Sequence, residues 1–145
     1  MNETDAQQLR FPVDLGCFGC SPTNPLGLKA SFLRRGDRVV ADYTVADAYH
    51  GAPGVVHGGI VATLLDEVSC VAALFVGGVH VVTGELTVRY EAPVPVEAPI
   101  QLESWITSAT HPRYLVIEAT VSRAGVRLAR STGKFFRTPL TFDAP

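Results

Sequence analysis

Three cysteines in 145 residues are too few, and odd in number, for a disulfide framework, so any stable fold must rest on its apolar core. Charge is sparse as well. Asp, Glu, Lys and Arg make up 18% of the chain and sum to a net charge of −2, which leaves no general attraction for a polyanion. Zinc-finger spacing, a basic helix and an RNA-binding aromatic signature are all missing, and no nucleic-acid partner is expected. No positively charged start leads into an apolar h-region, and no uninterrupted apolar stretch reads as long enough to cross a bilayer. The expectation is therefore a cytoplasmic protein with no membrane partner. Internal repeats and a second domain are absent too. What remains is a chain 47% hydrophobic, of a length that buries one core without disulfides or metal.

Against that background one stretch stands out, Pro53-Gly54-Val55-Val56-His57-Gly58-Gly59 followed by an apolar run to Phe75 with no internal breaker. The spacing predicts a helix that begins at His57 or Gly58 and ends before Gly77-Gly78. Its first N–H groups lack intrahelical partners and carry the positive end of the helix dipole. Glycine there lets a ligand oxygen approach without meeting a side chain. A carbonyl acquiring negative charge would be stabilised at that point.

Two carboxylates, Asp66 and Glu67, lie further along the same helix. At about 100° per residue, Ile60, Leu64, Glu67, Val68, Val71 and Phe75 share one side, while Ala62, Thr63, Asp66, Ser69, Cys70 and Ala73 form an arc of small or polar residues. Asp66 sits in the middle of that arc, with room beside it for a substrate. Gly58 and Asp66 are separated by about 12 Å along the axis at about 1.5 Å per residue, so they cannot both touch one carbonyl. If both act on one substrate they must come from different subunits with antiparallel helices, which predicts a homodimer with its site across the interface. Pairing of two dimers into a tetramer is left open.

Elsewhere the pattern is β. Residues 26–35 and 38–46 read as a hairpin around Arg35-Gly36-Asp37, and the loop 47–56 leads into the helix. Strands are expected over 80–91, 100–110, 114–123 and 126–137, with Ala124-Gly125 as a tight turn between the last two. Leu86, Val88 and Tyr90 share one strand face, and Glu85, Thr87 and Arg89 the other. Residues 1–16 show no clear period. One helix followed by long antiparallel strands gives an α+β fold in which the sheet curls around the helix.

Cys17 and Cys20 form a C-x-x-C, but it runs into the turn-rich Ser21-Pro22-Thr23-Asn24-Pro25 rather than opening a helix. No second C-x-x-C or paired histidines follow to complete a zinc site, so neither a metal nor a cofactor is expected. Cys70 reads as a small packing residue.

His57-Gly58-Gly59 with Leu64-Leu65-Asp66-Glu67 resembles the signature of the hotdog-fold acyl-CoA thioesterases, in particular the branch of the phenylacetate-pathway thioesterase. The stretch Cys17-Phe18-Gly19-Cys20-Ser21-Pro22-Thr23-Asn24-Pro25-Leu26-Gly27-Leu28 resembles the lead-in of many bacterial members. Thr83 stands at the strand position where that family often has Ser or Thr near its catalytic acid. The likeness runs from about Cys17 to Phe136. It implies a hotdog fold, a long central helix wrapped by a curved antiparallel sheet, over residues 26–140, with an N-terminal arm and loop at 1–25 and a tail at 141–145.

The resemblance further implies hydrolysis of an acyl-CoA thioester, with Asp66 as general base or nucleophile and the Gly58 amide polarising the carbonyl. Asp66, Gly58, His57 and Thr83 are the candidate catalytic residues, and Gly59, His50 and Glu67 the candidate substrate-binding residues. One departure stands out. Where several members carry Asn or Gln ahead of the histidine, this chain reads Tyr49-His50-Gly51-Ala52-Pro53, and His50 is read equally as a substitute or as an exposed loop residue. The alternative function is an acyl-CoA-binding hotdog protein without turnover.

Overall fold

Helix α1 spans Gly58–Phe75, 18 residues, as the unbroken apolar run predicts. His57 is its N-cap, and the His57 Nδ1 accepts a hydrogen bond from the Gly59 N–H at 2.9 Å, which satisfies one orphan donor of the first turn. At the other end the N–H groups of Val76 and Gly77 both bond to the Ala72 carbonyl, and Gly78 at φ 69° turns the chain away. The computed structural model describes residues 5–140, so the expected tail at 141–145 lies outside the described residues.

Among the described residues, seven antiparallel strands wrap this helix: β1 (Gln7–Gln8), β2 (Leu33–Arg35), β3 (Arg38–Thr44), β4 (Val81–Tyr90), β5 (Pro99–Ser108), β6 (Tyr114–Arg123) and β7 (Val126–Arg137). Their order is β1-β2-β3-β5-β6-β7-β4, so β4 closes one edge of the sheet. The four long strands fall where the alternation put them. Ala124 and Gly125, both at positive φ, make the tight turn between β6 and β7. In β5 and β6 alternate residues, Ile100 and Leu102, then Leu115, Ile117, Ala119 and Val121, point inward and are fully buried. They meet Val61, Leu64, Leu65, Val68 and Ala72 of α1, each at most 2% exposed. Burying each of the larger of these side chains is worth about 1.5–3 kcal/mol, and this interface holds the helix in the sheet.

The α+β expectation, one helix wrapped by a curved antiparallel sheet, therefore stands, with four corrections. Residues 26–32 are not a strand. Their alternation of buried Leu28, Ala30 and Phe32 comes from packing beneath the preceding loop, where the Leu28 and Ala30 N–H groups bond to the carbonyls of Phe18 and Gly19. The Tyr43 and Tyr49 hydroxyls tie the same stretch through the Leu28 and Leu26 carbonyls. Second, the short β1 pairs with β2 although residues 1–16 carry no period, because a two-residue strand is too short to show one. Third, Ser69 and Ala73 belong to the core and not to the open arc: both are fully buried, and the Ser69 hydroxyl donates back to the Leu65 carbonyl at 2.7 Å. Fourth, α1 is by length and composition alone apolar enough to cross a membrane, contrary to the reading that no stretch is; its apolar character serves the sheet that surrounds it.

Candidate active site

Asp66 projects from the middle of α1 toward the β4 edge of the sheet. Thr83 Oγ1 donates to Asp66 Oδ1 at 2.6 Å, which leaves Oδ2 unengaged by that bond. A β-bulge aims the hydroxyl. The pairing of β4 with β7 shifts register between Thr83 and Glu85, and the extra residue is Gly84, where an added Cβ would lie 2.3 Å from the Phe136 ring. Only glycine fits so close to that ring, so Gly84 is the local reason that Thr83 turns toward the acid. Burial pushes the Asp66 carboxyl above the ordinary carboxylate range, and the Thr83 hydrogen bond partly opposes it. Cys70, one turn on, lies with its Sγ 3.7 Å from Thr83 Oγ1; burial, with the nearby Asp66 charge, pushes its thiol up to about 12.

Glu67 does not lie among the large apolar residues that the helical wheel assigned to it. The loop of Cys17 to Cys20 covers it. Cys17 Sγ stands 3.8 Å from each carboxylate oxygen, and a Cβ on Gly19 would be 2.5 Å from the carboxyl carbon. Burial raises this carboxyl too. Hydrogen bonds from Cys20 and Cys17 counter that, and the Asp66 charge adds to it.

At the other end of α1 the two glycines behave differently. The Gly59 N–H is occupied by His57, whereas the Gly58 N–H makes no hydrogen bond among the described residues. His57 is exposed, and because its Nδ1 accepts, a neutral ring carries its proton on Nε2. The Tyr90 hydroxyl donates to the Gly58 carbonyl at 2.6 Å. Val55, Val56, Gly58, Val61, Tyr90 and Val94 line a cleft of about 440 Å³ at this helix end. His50 sits across the incoming loop, bridged to Val56, with its Nδ1 donating to the Asp47 carbonyl at 2.6 Å. Beside the cleft, Arg127 makes a two-point pair with Glu91 at 2.6 and 3.1 Å, and Arg130 lies 3.9 Å from the same carboxylate.

Two groups result. One joins Asp66, Thr83 and Cys70, with Glu67 next to them. The other joins Gly58, Gly59, His57, His50 and Tyr90. Within one chain the length of helix between Gly58 and Asp66, about 12 Å, keeps the groups apart. The arrangement offers an unengaged backbone donor at a helix N-terminus and, separately, a basic carboxylate held by a hydroxyl. Tyr90 was legible in the sequence only as sharing a strand face with Leu86 and Val88, and it is 51% exposed. Nothing in the sequence links its hydroxyl to Gly58, or the cysteine loop to Glu67, because both contacts cross long separations.

Residues 53–113 match the thioesterase superfamily. The acyl-coenzyme A thioesterase THEM4 from Xenopus laevis is 33% identical over 67 residues, which is 46% of this chain and 30% of that protein. Among solved structures, a thioesterase superfamily protein superposes with a TM-score of 0.73 at 31% identity, covering 78% of this chain and 56% of the other. A Streptococcus pneumoniae hypothetical thioesterase, solved with coenzyme A, superposes with a TM-score of 0.66 at 20% identity over 72% of this chain and 83% of its own. The chain thus spans about a third of the THEM4 relative and little more than half of that first structure.

Proposed function

We propose that this chain, a hotdog-fold member of the thioesterase superfamily, hydrolyses an acyl-CoA thioester to the free acid and CoA. The observation that carries the reading is the Asp66–Thr83 hydrogen bond. It orients a carboxylate whose burial makes it more basic than usual, on a helix face where Ala62, Thr63 and Cys70 keep partial exposure. Water attacks the thioester carbon, Asp66 takes the proton of that water, and the carbonyl oxygen gathers charge against the Gly58 N–H and the helix dipole. Collapse of the tetrahedral intermediate breaks the carbon–sulfur bond and expels the CoA thiolate, which recovers a proton from solvent or from Asp66. A thioester carbonyl is already electrophilic, so one amide and one base are enough machinery.

The two groups come together in a homodimer. β4 is a ten-residue edge strand, and Val82 and Tyr90 on it are 45% and 51% exposed. A long edge of this kind favours antiparallel pairing with a second copy. If the two-fold axis passes between Leu86 and Thr87, Thr83 of one chain lies opposite Tyr90 of the other. One subunit's Asp66 and the other's Gly58 N–H then approach one carbonyl. Arg127 and Arg130 around Glu91, with Arg89 on the same edge, supply positive charge for the CoA phosphates beside the cleft. The THEM4 relative is named an acyl-coenzyme A thioesterase and the Streptococcus pneumoniae structure holds coenzyme A, which supports this choice of leaving group.

The test is release of CoA thiol from short, long and aromatic acyl-CoAs by wild type and Asp66→Asn, followed with a thiol-trapping dye. Turnover of at least one ester that is lost in the variant, with CoA-ester binding retained, is expected. A folded wild type that binds acyl-CoA and turns over none of the panel would make it a binding protein instead.

A further inference from the structure

The loop that covers Glu67 has the composition of a metal site. Cys17 Sγ, Cys20 Sγ and a Glu67 carboxylate oxygen all lie within 4.8 Å of one another, converging from a turn and a helix that are far apart in sequence. The turn has the shape of a metal knuckle. The Gly19 N–H donates to Cys17 Sγ at 3.3 Å, and the Ser21 N–H closes the turn on the Cys17 carbonyl at 3.0 Å. Gly19 has no Cβ to hold the loop off the carboxylate, since one would sit 2.5 Å from it. Backbone donation to sulfur is the outer contact that steadies a thiolate ligand.

We propose that Cys17, Cys20 and Glu67 bind one zinc ion, with water as the fourth ligand. Two thiolates select a borderline-soft ion, and the carboxylate oxygen favours zinc over cuprous copper. Zn–S distances of about 2.3 Å and Zn–O of about 2.0–2.2 Å place tetrahedral sulfur and oxygen ligands roughly 3.5 Å apart, so the 3.8 Å separation of Cys17 Sγ from the Glu67 oxygens closes with a small contraction. Binding releases the two thiol protons to solvent. The ion would pin the 17–20 loop to α1 next to Asp66, a structural clasp independent of the thioesterase reading.

The experiment loads the reduced full chain with Zn²⁺, removes excess by gel filtration and counts bound zinc by mass spectrometry. Cobalt substitution then reads the ligands by their thiolate-to-metal charge-transfer absorption. Wild type and Cys70→Ser should each retain about one zinc per chain and show the cobalt band. Cys17→Ser and Cys20→Ser should lose both, and Glu67→Gln should keep a weakened band with much faster loss of metal to a chelator. Wild type should also melt higher with zinc than after chelation. Failure of folded wild type to retain zinc or to show the cobalt band would overturn the proposal without reference to any variant. So would a Cys17→Ser protein that binds zinc as wild type does. Neither result bears on turnover, so the thioesterase reading and this one fail separately.

Discussion

Gly58→Pro removes one atom group that the mechanism depends on and leaves the fold a reason to tolerate the change. Gly58 is the first residue of α1, where proline is well accepted because its missing N–H had no intrahelical partner. His57 before it is already extended, at φ −55° and ψ 134°, as a residue preceding proline must be. A Cβ at Gly58 meets the Tyr90 side chain at 3.5 Å, ordinary van der Waals contact, so the Cβ that proline and alanine both add is accommodated. What disappears is the unengaged N–H of a residue that lines the cleft. Loss of one preorganised oxyanion donor costs about 2.7–4 kcal/mol, so kcat should fall about 10²–10³-fold. Gly58→Ala keeps the N–H and is the matched control, expected to lose far less. The assay is CoA release with the wild-type substrate, beside circular dichroism and melting curves. A well-folded Gly58→Pro protein within a few-fold of wild type would refute the role given to this amide, as would Gly58→Ala failing just as badly.

Thr83→Val deletes a hydrogen bond to a carboxylate, worth about 1.5–3 kcal/mol, and should lower kcat/KM by about 10–150-fold, with Thr83→Ser largely restoring it. Because that bond holds the Asp66 carboxyl down, its loss should move the acidic limb of the pH–rate profile to higher pH in chelator-treated protein; no movement, or movement the other way, would deny the contact a role in turnover. Asp66→Asn should melt at the wild-type temperature or above in the same metal-free conditions. Burial raises the folded carboxyl above its unfolded value, so ionised Asp66 costs stability at neutral pH, and that cost shrinks as pH falls below the folded value and is gone below the unfolded one; asparagine never ionises and still accepts from Thr83. A drop of many degrees would mark Asp66 as a structural acid. Arg130→Ala should raise KM for acyl-CoA at low salt with kcat unchanged, and the difference should fade as salt is added; a fall in kcat alone would place Arg130 elsewhere in the cycle.

How much of this was legible in the sequence depended on the range of the interaction. The start and end of α1 follow from His57-Gly58-Gly59 and Gly77-Gly78, both local signals, and the four long strands follow from their period-2 alternation. The stretch at 26–32 was misread because alternating burial can arise beneath a loop as well as in a ladder. Ser69 was misplaced because its polarity suggests an open face, while its hydroxyl is satisfied within the helix. Thr83 was found by resemblance, yet the reason it points at Asp66, the bulge at Gly84, needs the register of two strands. Glu67 was read on the wheel as facing large apolar residues. The cysteine loop that covers it comes from 50 residues upstream, a separation that periodicity cannot bridge.

The central claim is that one site draws its base and its oxyanion donor from different subunits, and mixing two inactive variants tests it most directly. Asp66→Asn and Gly58→Pro chains, unfolded together and refolded, form hybrid dimers in which one of the two sites has both groups intact. Shared sites predict that the mixture recovers roughly a quarter of wild-type CoA release, since about half of randomly paired dimers are hybrids and each holds one whole site. A mixture of folded dimers no more active than its parents would show that the two groups do not meet across an interface, and the account would have to be given up.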